Sequence, residues 1–242
     1  MHHKLQTQLR PDNKIRVRVD GAWTTQVVRA AADLARTRRL PVLVMLSGDL
    51  DSTVDLFVEA GFEMTRRETN FRLPVRAALA NLPEPVAPDE YRIISAADAD
   101  IGELHRLDEL LRMDIPGSAG WRMSLQEFRR YTFDPSHFNS RTYLVAENDI
   151  GEAYLGLARV WIDSERPRLG MVGVVAGHRR RGIASLLLAH ALSATAEVTG
   201  ADSVDLEIDD SNQASLSLFI SLGAEAVGST TEVVFTPPPE RK

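Results

Sequence analysis

The chain has 242 residues, enough for one large domain or two small ones, and its 44% hydrophobic and 26% charged residues are typical of globular proteins. Cysteine is absent, which excludes disulfide bonds, thiolate metal sites and a cysteine nucleophile. The six histidines show no metal-ligand spacing, so we expect no bound metal. No apolar run approaches the roughly 20 residues of a membrane span, and the N-terminus has no apolar signal core. We therefore expect a cytoplasmic protein without a membrane partner.

The net charge of −6 is unevenly distributed along the chain. Residues 1–80 are basic overall, whereas the remainder carries 15 basic and 25 acidic residues. An acidic C-terminal part disfavours binding to nucleic acid and suits a cationic acceptor. We therefore expect no nucleic-acid partner.

Residues 1–80 alternate between strand and helix patterns. The predicted elements are strands at 15–19, 42–46 and 62–73, and helices at 22–38 and 51–60. Prolines and alanines between residues 73 and 90 indicate a linker or extended connection rather than an element. We place one domain at 1–80 and a second at 91–238, joined by a proline-rich linker at 81–90.

The C-terminal part begins with a run of strands and continues as alternating strands and helices. The predicted elements are strands at 91–95, 142–147, 153–162, 168–175, 203–208 and 230–236, and helices at 98–113, 124–132, 183–199 and 212–222. This order predicts an α/β (α+β) fold with a mixed, mostly antiparallel central sheet flanked by helices. Ligands of such sheets bind at the carboxyl ends of strands, where neighbouring strands diverge.

The two parts of the chain share a diverged internal repeat. The segment LFVEAGF at 56–62 matches LFISLGA at 218–224, and both end a predicted helix. Between its first strand and first helix the N-terminal copy has no arginines, and it carries Asp20, which would repel a phosphate. We therefore expect the N-terminal copy to be structural and to lack a second ligand site.

A basic turn joins the strand at 168–175 to the helix that begins at Ile183. Its sequence, HRRRGIA at 178–184, combines three arginines with Gly182, which lets the backbone approach a ligand closely. The first N–H groups of a helix have no partner within the helix, and the helix dipole adds positive charge there. The pattern predicts an anion site suited to a pyrophosphate. A solvated basic turn is the alternative.

The pattern Arg179-x-x-Gly182-x-Ala184 resembles the acyl-CoA-binding signature of the GNAT superfamily of N-acetyltransferases. A second segment, LEIDDSNQASLSLFISLG at 206–223, is similar to the strand–asparagine–helix motif of the same family, with Ser215 where alanine is usual. The resemblance covers residues 89–237 as a full domain and 14–73 as a degenerate half. It implies the GNAT-like acyltransferase fold, acetyl-CoA as co-substrate and no metal.

The resemblance also implies which residues contact acetyl-CoA. The pyrophosphate would lie on the backbone amides of the basic turn, and the main chain of the preceding strand would hold the thioester and pantetheine groups. Asn212 would contact the pantetheine arm, with a plain helix cap as the alternative role. The full predicted set is Val172, Val174, His178, Arg179, Arg180, Arg181, Gly182, Ile183, Ala184, Asn212, Ser215 and Phe219.

Amide formation from a thioester needs a neutral amine, so a base must remove a proton from it. Glu207 is our candidate base, because its spacing to Asn212 resembles that of the glutamate in ribosomal-protein alanine N-acetyltransferases. The alternative is a strand-end carboxylate that pairs with an arginine. Further candidates are Asp209, Asp163 and Glu165.

Protonation of the departing thiolate is a separate requirement. Phe219 stands where many relatives carry a tyrosine that serves as the acid, and phenylalanine has no proton to give. Tyr143 and Tyr154 lie on predicted strands and are the tyrosine candidates. Solvent is the alternative donor.

The acceptor pocket is expected from the helices at 104–138, where Asp114, Trp121 and Tyr131 supply acidic and aromatic groups. We expect the acceptor to be a primary amine of a small molecule, either a metabolite or an antibiotic. A peptide or protein N-terminal α-amine is the alternative acceptor, and a non-catalytic acyl-CoA sensor is the alternative of another class. A monomer and a homodimer are both compatible with the sequence.

Overall fold

A computed structural model describes residues 5–48, 51–83, 91–118, 121–148, 153–162 and 166–239. The chain divides into two compact units, neither of which is a continuous piece of sequence. The first comprises Met1–Asn70, Gly120–Arg122 and Val227–Lys242, and the second comprises Phe71–Ala119 and Met123–Ala226. The continuous domains at 1–80 and 91–238 stay a prediction, and residues 84–90 of the predicted linker lie outside the described residues.

The described residues form ten strands and seven α-helices. The strands are β1 (Leu5–Leu9), β2 (Ile15–Val19), β3 (Val42–Ser47), β4 (Glu63–Pro74), β5 (Tyr91–Ser95), β6 (Tyr143–Asn148), β7 (Tyr154–Trp161), β8 (Arg168–Val174), β9 (Ser203–Asp209) and β10 (Glu225–Phe235). The helices are α1 (Thr25–Arg38), α2 (Asp51–Glu59), α3 (Val75–Asn81), α4 (Ile101–Arg112), α5 (Leu125–Thr132), α6 (Ile183–Thr199) and α7 (Gln213–Ser221). None of these helices is both long and apolar enough to cross a membrane.

The first unit has the strand order β1-β2-β3-β10-β4. β2 and β3 are parallel, and β10 runs antiparallel to β3 from Thr230 to Phe235. Three aromatic rings form the centre of its core, with Phe62 lying 4.9 Å from Phe57 and 5.3 Å from Phe235 between ring centroids. β10, the last described strand of the chain, therefore completes the core of the first unit.

The second unit has the strand order β4-β9-β8-β7-β6-β5, in which β8 and β9 are parallel and β5 to β8 form an antiparallel meander. Successive residues of a strand point to opposite faces of the sheet. Val174 packs into the core that contains the buried leucines of α6, whereas Gly173 faces Leu111 of α4. Helices thus cover both faces, and the predicted mixed, mostly antiparallel sheet flanked by helices is confirmed.

Part of the predicted linker is a helix. α3 occupies Val75–Asn81, within the stretch from 73 to 90 that was predicted to be extended. Alanine favours a helix strongly, and the prolines stand where a helix tolerates them, with Pro74 before its first residue and Pro83 beyond its end. Val75 and Ala78 are buried, so tertiary packing stabilises this short helix.

A buried ion pair connects α4 to β7. Asp108 is almost completely buried and accepts a hydrogen bond from Arg159 Nη1 at 2.8 Å, while Arg112 binds the same carboxylate. Burial alone would raise the pKa of Asp108, but the guanidinium groups of Arg159 and Arg112 outweigh burial and hold that pKa below its ordinary value. The Arg159 guanidinium also lies 4.7 Å from the Trp161 ring centroid.

Replacing Arg159 with methionine is expected to lower the free energy of unfolding by about 3–5 kcal/mol, because Asp108 is left as a buried charge with fewer partners. The pKa of Asp108 is lower in the folded protein than in the unfolded chain, where it is about 4. The ionised carboxylate therefore stabilises the folded protein fully above about pH 4, and this contribution is lost as the pH falls through the folded pKa. Urea unfolding between pH 7 and pH 3 measures both effects.

Arg141→Met is the matched control, since the pair of Arg141 with Glu197 is exposed and should contribute no more than about 1 kcal/mol. Asp108→Asn should show a weaker loss of stability below about pH 4 than the unmodified protein. Equal destabilisation by Arg159→Met and Arg141→Met would contradict the structural role given to the buried pair.

Candidate active site

β8 and β9 separate along their length, so that one side of β8 borders a gap. Among the described residues, the parallel register between them joins Arg168 to Asp205. On its other side β8 pairs with β7, and the Val175 N–H donates to the Leu155 carbonyl at 2.8 Å. Main-chain groups alternate in direction along a strand, so those of Val172 and Val174 point away from β7. They therefore face the gap between β8 and β9, as the resemblance implied.

A cleft of about 520 Å³ opens at this gap. Its lining combines β8, the basic turn, the first turn of α6, one side of α7 and the end of α4 with the segment that follows it. The lining residues are Pro83, Leu111, Asp114, Ile115, Met171, Val172, Gly173, Val174, His178, Arg179, Arg180, Gly182, Ile183, Ala184, Ser185, Asn212, Ala214, Ser215 and Leu218. The position is the carboxyl end of β8, where a ligand was predicted.

The basic turn contains two residues with a left-handed backbone conformation. Arg180 (φ 63) and Gly182 (φ 81) are both left-handed, which is unusual for an arginine and natural for a glycine. α6 starts at Ile183. The Leu186 N–H donates to the Gly182 carbonyl at 2.9 Å and closes the first turn of the helix.

The space above Gly182 is open. A methyl group built on Gly182 would meet no atom beyond its chain neighbours within 4 Å, so the backbone of the turn can be approached on this side. The N–H groups that begin α6, the positive end of the helix dipole and the adjacent arginines together fit a pyrophosphate group. The residues present therefore fit the anionic part of coenzyme A.

The three arginines of the turn have different surroundings. Arg179 donates from Nε to the Val174 carbonyl at 2.9 Å and forms an ion pair with Asp114. Arg180 lines the cleft, whereas Arg181 lies outside its lining and donates to the Tyr91 hydroxyl at 3.3 Å. The exposed pair of Arg179 with Asp114 is worth about 0–1 kcal/mol, so a phosphate can replace Asp114 as the partner of Arg179.

The α7 residues divide between the cleft and the core. Asn212 lines the cleft and also caps α7, because its Oδ1 accepts a hydrogen bond from the Ser215 N–H at 3.2 Å. Its two predicted roles are therefore compatible. Phe219 is buried in the hydrophobic core and does not line the cleft, where Leu218 is found instead. The sequence predicted that α7 borders the ligand site, but it did not show which side chains of α7 face the cleft.

The candidate base lies apart from the cleft lining. Glu207 is on the face of β9 opposite the core residues Leu206 and Ile208, and it accepts a hydrogen bond from Arg168 Nη1 at 2.6 Å. The paired strand-end carboxylate considered as its alternative role is the arrangement observed. Asp209 is buried and accepts from the Ser211 N–H at 2.8 Å. Asp163 and Glu165 lie outside the described residues.

Neither tyrosine candidate for the general acid lines the cleft. Tyr143 is completely buried, and burial raises its pKa to about 12. The Tyr154 hydroxyl accepts a hydrogen bond from the Asp100 N–H at 2.8 Å. Solvent remains the alternative donor to the thiolate.

Of the three predicted acceptor residues, Asp114 lines the cleft and the other two do not. Trp121 belongs to the first unit, where the Arg10 guanidinium lies 4.9 Å from its ring centroid. Tyr131 packs against the rings of His137 and Trp161. Sequence reasoning missed three apolar lining residues, Leu111, Ile115 and Met171. The helix and strand periodicities at Leu111 and Met171 indicated burial but not a cleft, and Ile115 follows the predicted helix.

No group of three or more histidine, aspartate or glutamate side chains that could hold a metal ion occurs in the parts of the chain that the structure describes. The family model of the GNAT acetyltransferases matches residues 104–224, which is half of the chain and contains the cleft lining from Leu111 to Leu218. The chain belongs to the GNAT family of acetyltransferases. The identification made from the two sequence motifs is thus confirmed. GNAT proteins are acyltransferases, and acetyl-CoA is the co-substrate of the family.

Solved structures share the fold at low sequence identity. A GCN5-related N-acetyltransferase from Sphaerobacter thermophilus is similar with a TM-score of 0.75 and 16% identity, over 97% of this chain and 76% of that one. A tandem GNAT protein from the clavulanic acid biosynthesis pathway is similar with a TM-score of 0.68 and 16% identity, over 95% and 77% of the two chains. A GCN5-related N-acetyltransferase from Kribbella flavida has a TM-score of 0.58 at 14% identity, over 91% and 80%.

No curated protein matches this chain. The structural likenesses therefore establish the fold, and the tandem GNAT protein is consistent with two GNAT-like parts in this chain. The acceptor has to be argued from the cleft itself.

Proposed function

We propose that this GNAT protein transfers the acetyl group of acetyl-CoA to a primary amine of a small molecule, either a metabolite or an antibiotic. The observation that carries the proposal is the open basic turn at the start of α6, which adjoins the main chain of β8 in one cleft. Incubation with acetyl-CoA and a panel of amines, with release of free thiol as the readout, tests it. Binding of acetyl-CoA without turnover of any amine would favour the sensor.

In the proposed mechanism the chain mainly positions its two substrates. The turn at 179–184 holds the pyrophosphate, and the main chain of Val172 and Val174 holds the amide-rich arm, so that the thioester is fixed beside β8. The Val174 N–H is the candidate donor to the oxyanion of the tetrahedral intermediate. The amine attacks the thioester carbonyl and forms the C–N bond, and the amine proton passes to a base. The intermediate then collapses as the C–S bond breaks, and the departing thiolate takes a proton from solvent.

An N-terminal α-amine of a peptide or protein is the second candidate acceptor. The spacing of Glu207 to Asn212 favours it, because this spacing resembles that of the alanine N-acetyltransferases. Including peptides with free N-termini in the amine panel distinguishes the two acceptor classes.

We keep Glu207 as the proposed base and expect Glu207→Gln to lower kcat at least about 100-fold without changing the Kd of acetyl-CoA, since general-base catalysis contributes roughly 10²–10⁴-fold. Arg168 must release Glu207 for this role. Asp205→Asn is the matched control, because Asp205 is also a β9 carboxylate paired with an arginine, Arg72, at 2.9 Å. Turnover by Glu207→Gln that equals turnover by Asp205→Asn would exclude Glu207 as the base.

We also propose that the N-terminal part is a degenerate GNAT repeat without a ligand site of its own. The order β2, α1, β3, α2, β4 has the same succession of strands and helices as β8, α6, β9, α7, β10. β2 and β3 are parallel, as β8 and β9 are. At the turn after β2, Asp20 accepts a hydrogen bond from Gln6 at 2.8 Å, and the three arginines of the C-terminal turn have no counterpart.

A further inference from the structure

The end of α4 covers β8 at the point where β8 has no side chain. A methyl group built on Gly173 would lie 3.2 Å from both methyl carbons of Leu111, closer than nearly all real contacts of this kind. Leu111 therefore occupies the space that a side chain at position 173 would fill. Both residues line the cleft, together with Ile115 and Met171.

The acyl group of the donor is expected beside this cover. The proposed pyrophosphate site is at the carboxyl end of β8. Along the strand, Val174 is nearer to this site and Val172 is farther from it, because each residue of a strand adds about 3.3 Å. The side chain of Val174 packs into the α6 core and that of Val172 packs against it, so both point away from α4. On the α4 face of β8, an acyl chain would meet Gly173 and Leu111.

Leu111 is held in place by the helix that carries it. Asp108 lies one helical turn before Leu111, and its buried pair with Arg159 ties this part of α4 to β7. Leu111 is itself only 4% exposed. These contacts oppose a displacement of Leu111 by a longer acyl chain.

We propose that Leu111 limits the length of the acyl chain, so that the protein uses acetyl-CoA and discriminates against butyryl-CoA and longer acyl donors. This inference rests on the proposed function, because it concerns the donor of the same reaction. The step is unchanged for each donor: a C–N bond forms, the C–S bond breaks, and the thiol is released. Each methylene that a pocket must exclude changes specificity by roughly 10–200-fold.

The test compares Leu111→Ala with Leu107→Ala. Leu107 lies on the same helix, is equally buried at 4% exposure and does not line the cleft, so it loses the same side-chain volume elsewhere. The measurements are the Kd of acetyl-CoA and of butyryl-CoA, and kcat/KM for both donors with an amine from the panel. We expect Leu111→Ala to raise the butyryl-to-acetyl ratio of kcat/KM at least about tenfold, and Leu107→Ala to leave the ratio unchanged.

The inference is overturned if the unmodified protein uses butyryl-CoA as well as acetyl-CoA, or if Leu111→Ala transfers acetyl groups with an unchanged ratio. Should Leu111→Ala not fold, Leu111→Val removes one carbon and should raise the ratio to a smaller extent, and an unchanged ratio there overturns the inference as well. Failure of the proposed function looks different, because the unmodified protein would then transfer no acetyl group to any amine.

Discussion

Replacing Gly182 with aspartate should weaken the binding of coenzyme A about 100-fold or more. The carboxylate would project into the open space above the turn, where the pyrophosphate is expected, and like charges in contact cost several kcal/mol. Each 1.4 kcal/mol is a factor of ten in Kd. Isothermal titration with coenzyme A at fixed ionic strength measures the change, because part of the attraction is screened by salt.

Gly200→Asp is the control for backbone strain. Gly200 caps the other end of α6 with φ 71, and a methyl group built on it would also meet no atom within 4 Å. Both variants therefore place an aspartate in a left-handed position at an end of the same helix. Gly200→Asp should lower Tm similarly and leave the Kd of coenzyme A unchanged. Binding by Gly182→Asp at the affinity of Gly200→Asp would refute the anion site.

Deleting residues 227–242 should unfold the first unit, although that unit consists mostly of residues before Asn70. The deletion removes Val233 and Phe235 from its core and the six register pairs that β10 forms with β3. Loss of a buried phenylalanine alone costs about 3–5 kcal/mol, and a typical domain is stable by only about 5–15 kcal/mol. Hydrogen exchange of the α1 and β3 amides measures the loss of protection.

Deleting 237–242 alone is the control, because β10 ends at Phe235 and these residues follow it. Protection of α1 and β3 should then be unchanged. The same reasoning predicts that a fragment of residues 1–80 does not fold, since it lacks β10. Full protection of α1 and β3 in the protein without 227–242 would contradict this account of the first unit.

Much of the site was predictable because its signals are local. An arginine turn with Gly182 before an apolar helix predicts an anion site from backbone chemistry alone, and the structure gives this turn two left-handed residues and an open face. Asn212 at a helix start predicts a cap, which is observed. Such features depend on a few consecutive residues, so no knowledge of distant contacts is needed to infer them.

Other features depended on residues that are distant in sequence. The pairing of Glu207 with Arg168 and of Asp114 with Arg179 joins different elements, and no local pattern indicates either pair. The short helix α3 was predicted to be extended because prolines flank it, whereas burial of Val75 and Ala78 stabilises it. In each case packing between distant segments outweighed the local preference.

The local sequence was sufficient to identify the periodic elements, the basic turn before α6 and the GNAT family, because periodicity, capping and short motifs depend on a few consecutive residues. The tertiary structure alone decided that β10 completes the core of the N-terminal unit and that Leu111 covers Gly173 above the cleft. Both arrangements depend on which apolar surfaces are buried against each other. Burial of apolar surface is not directional, so many pairings satisfy the same hydrophobic pattern and only close packing selects one.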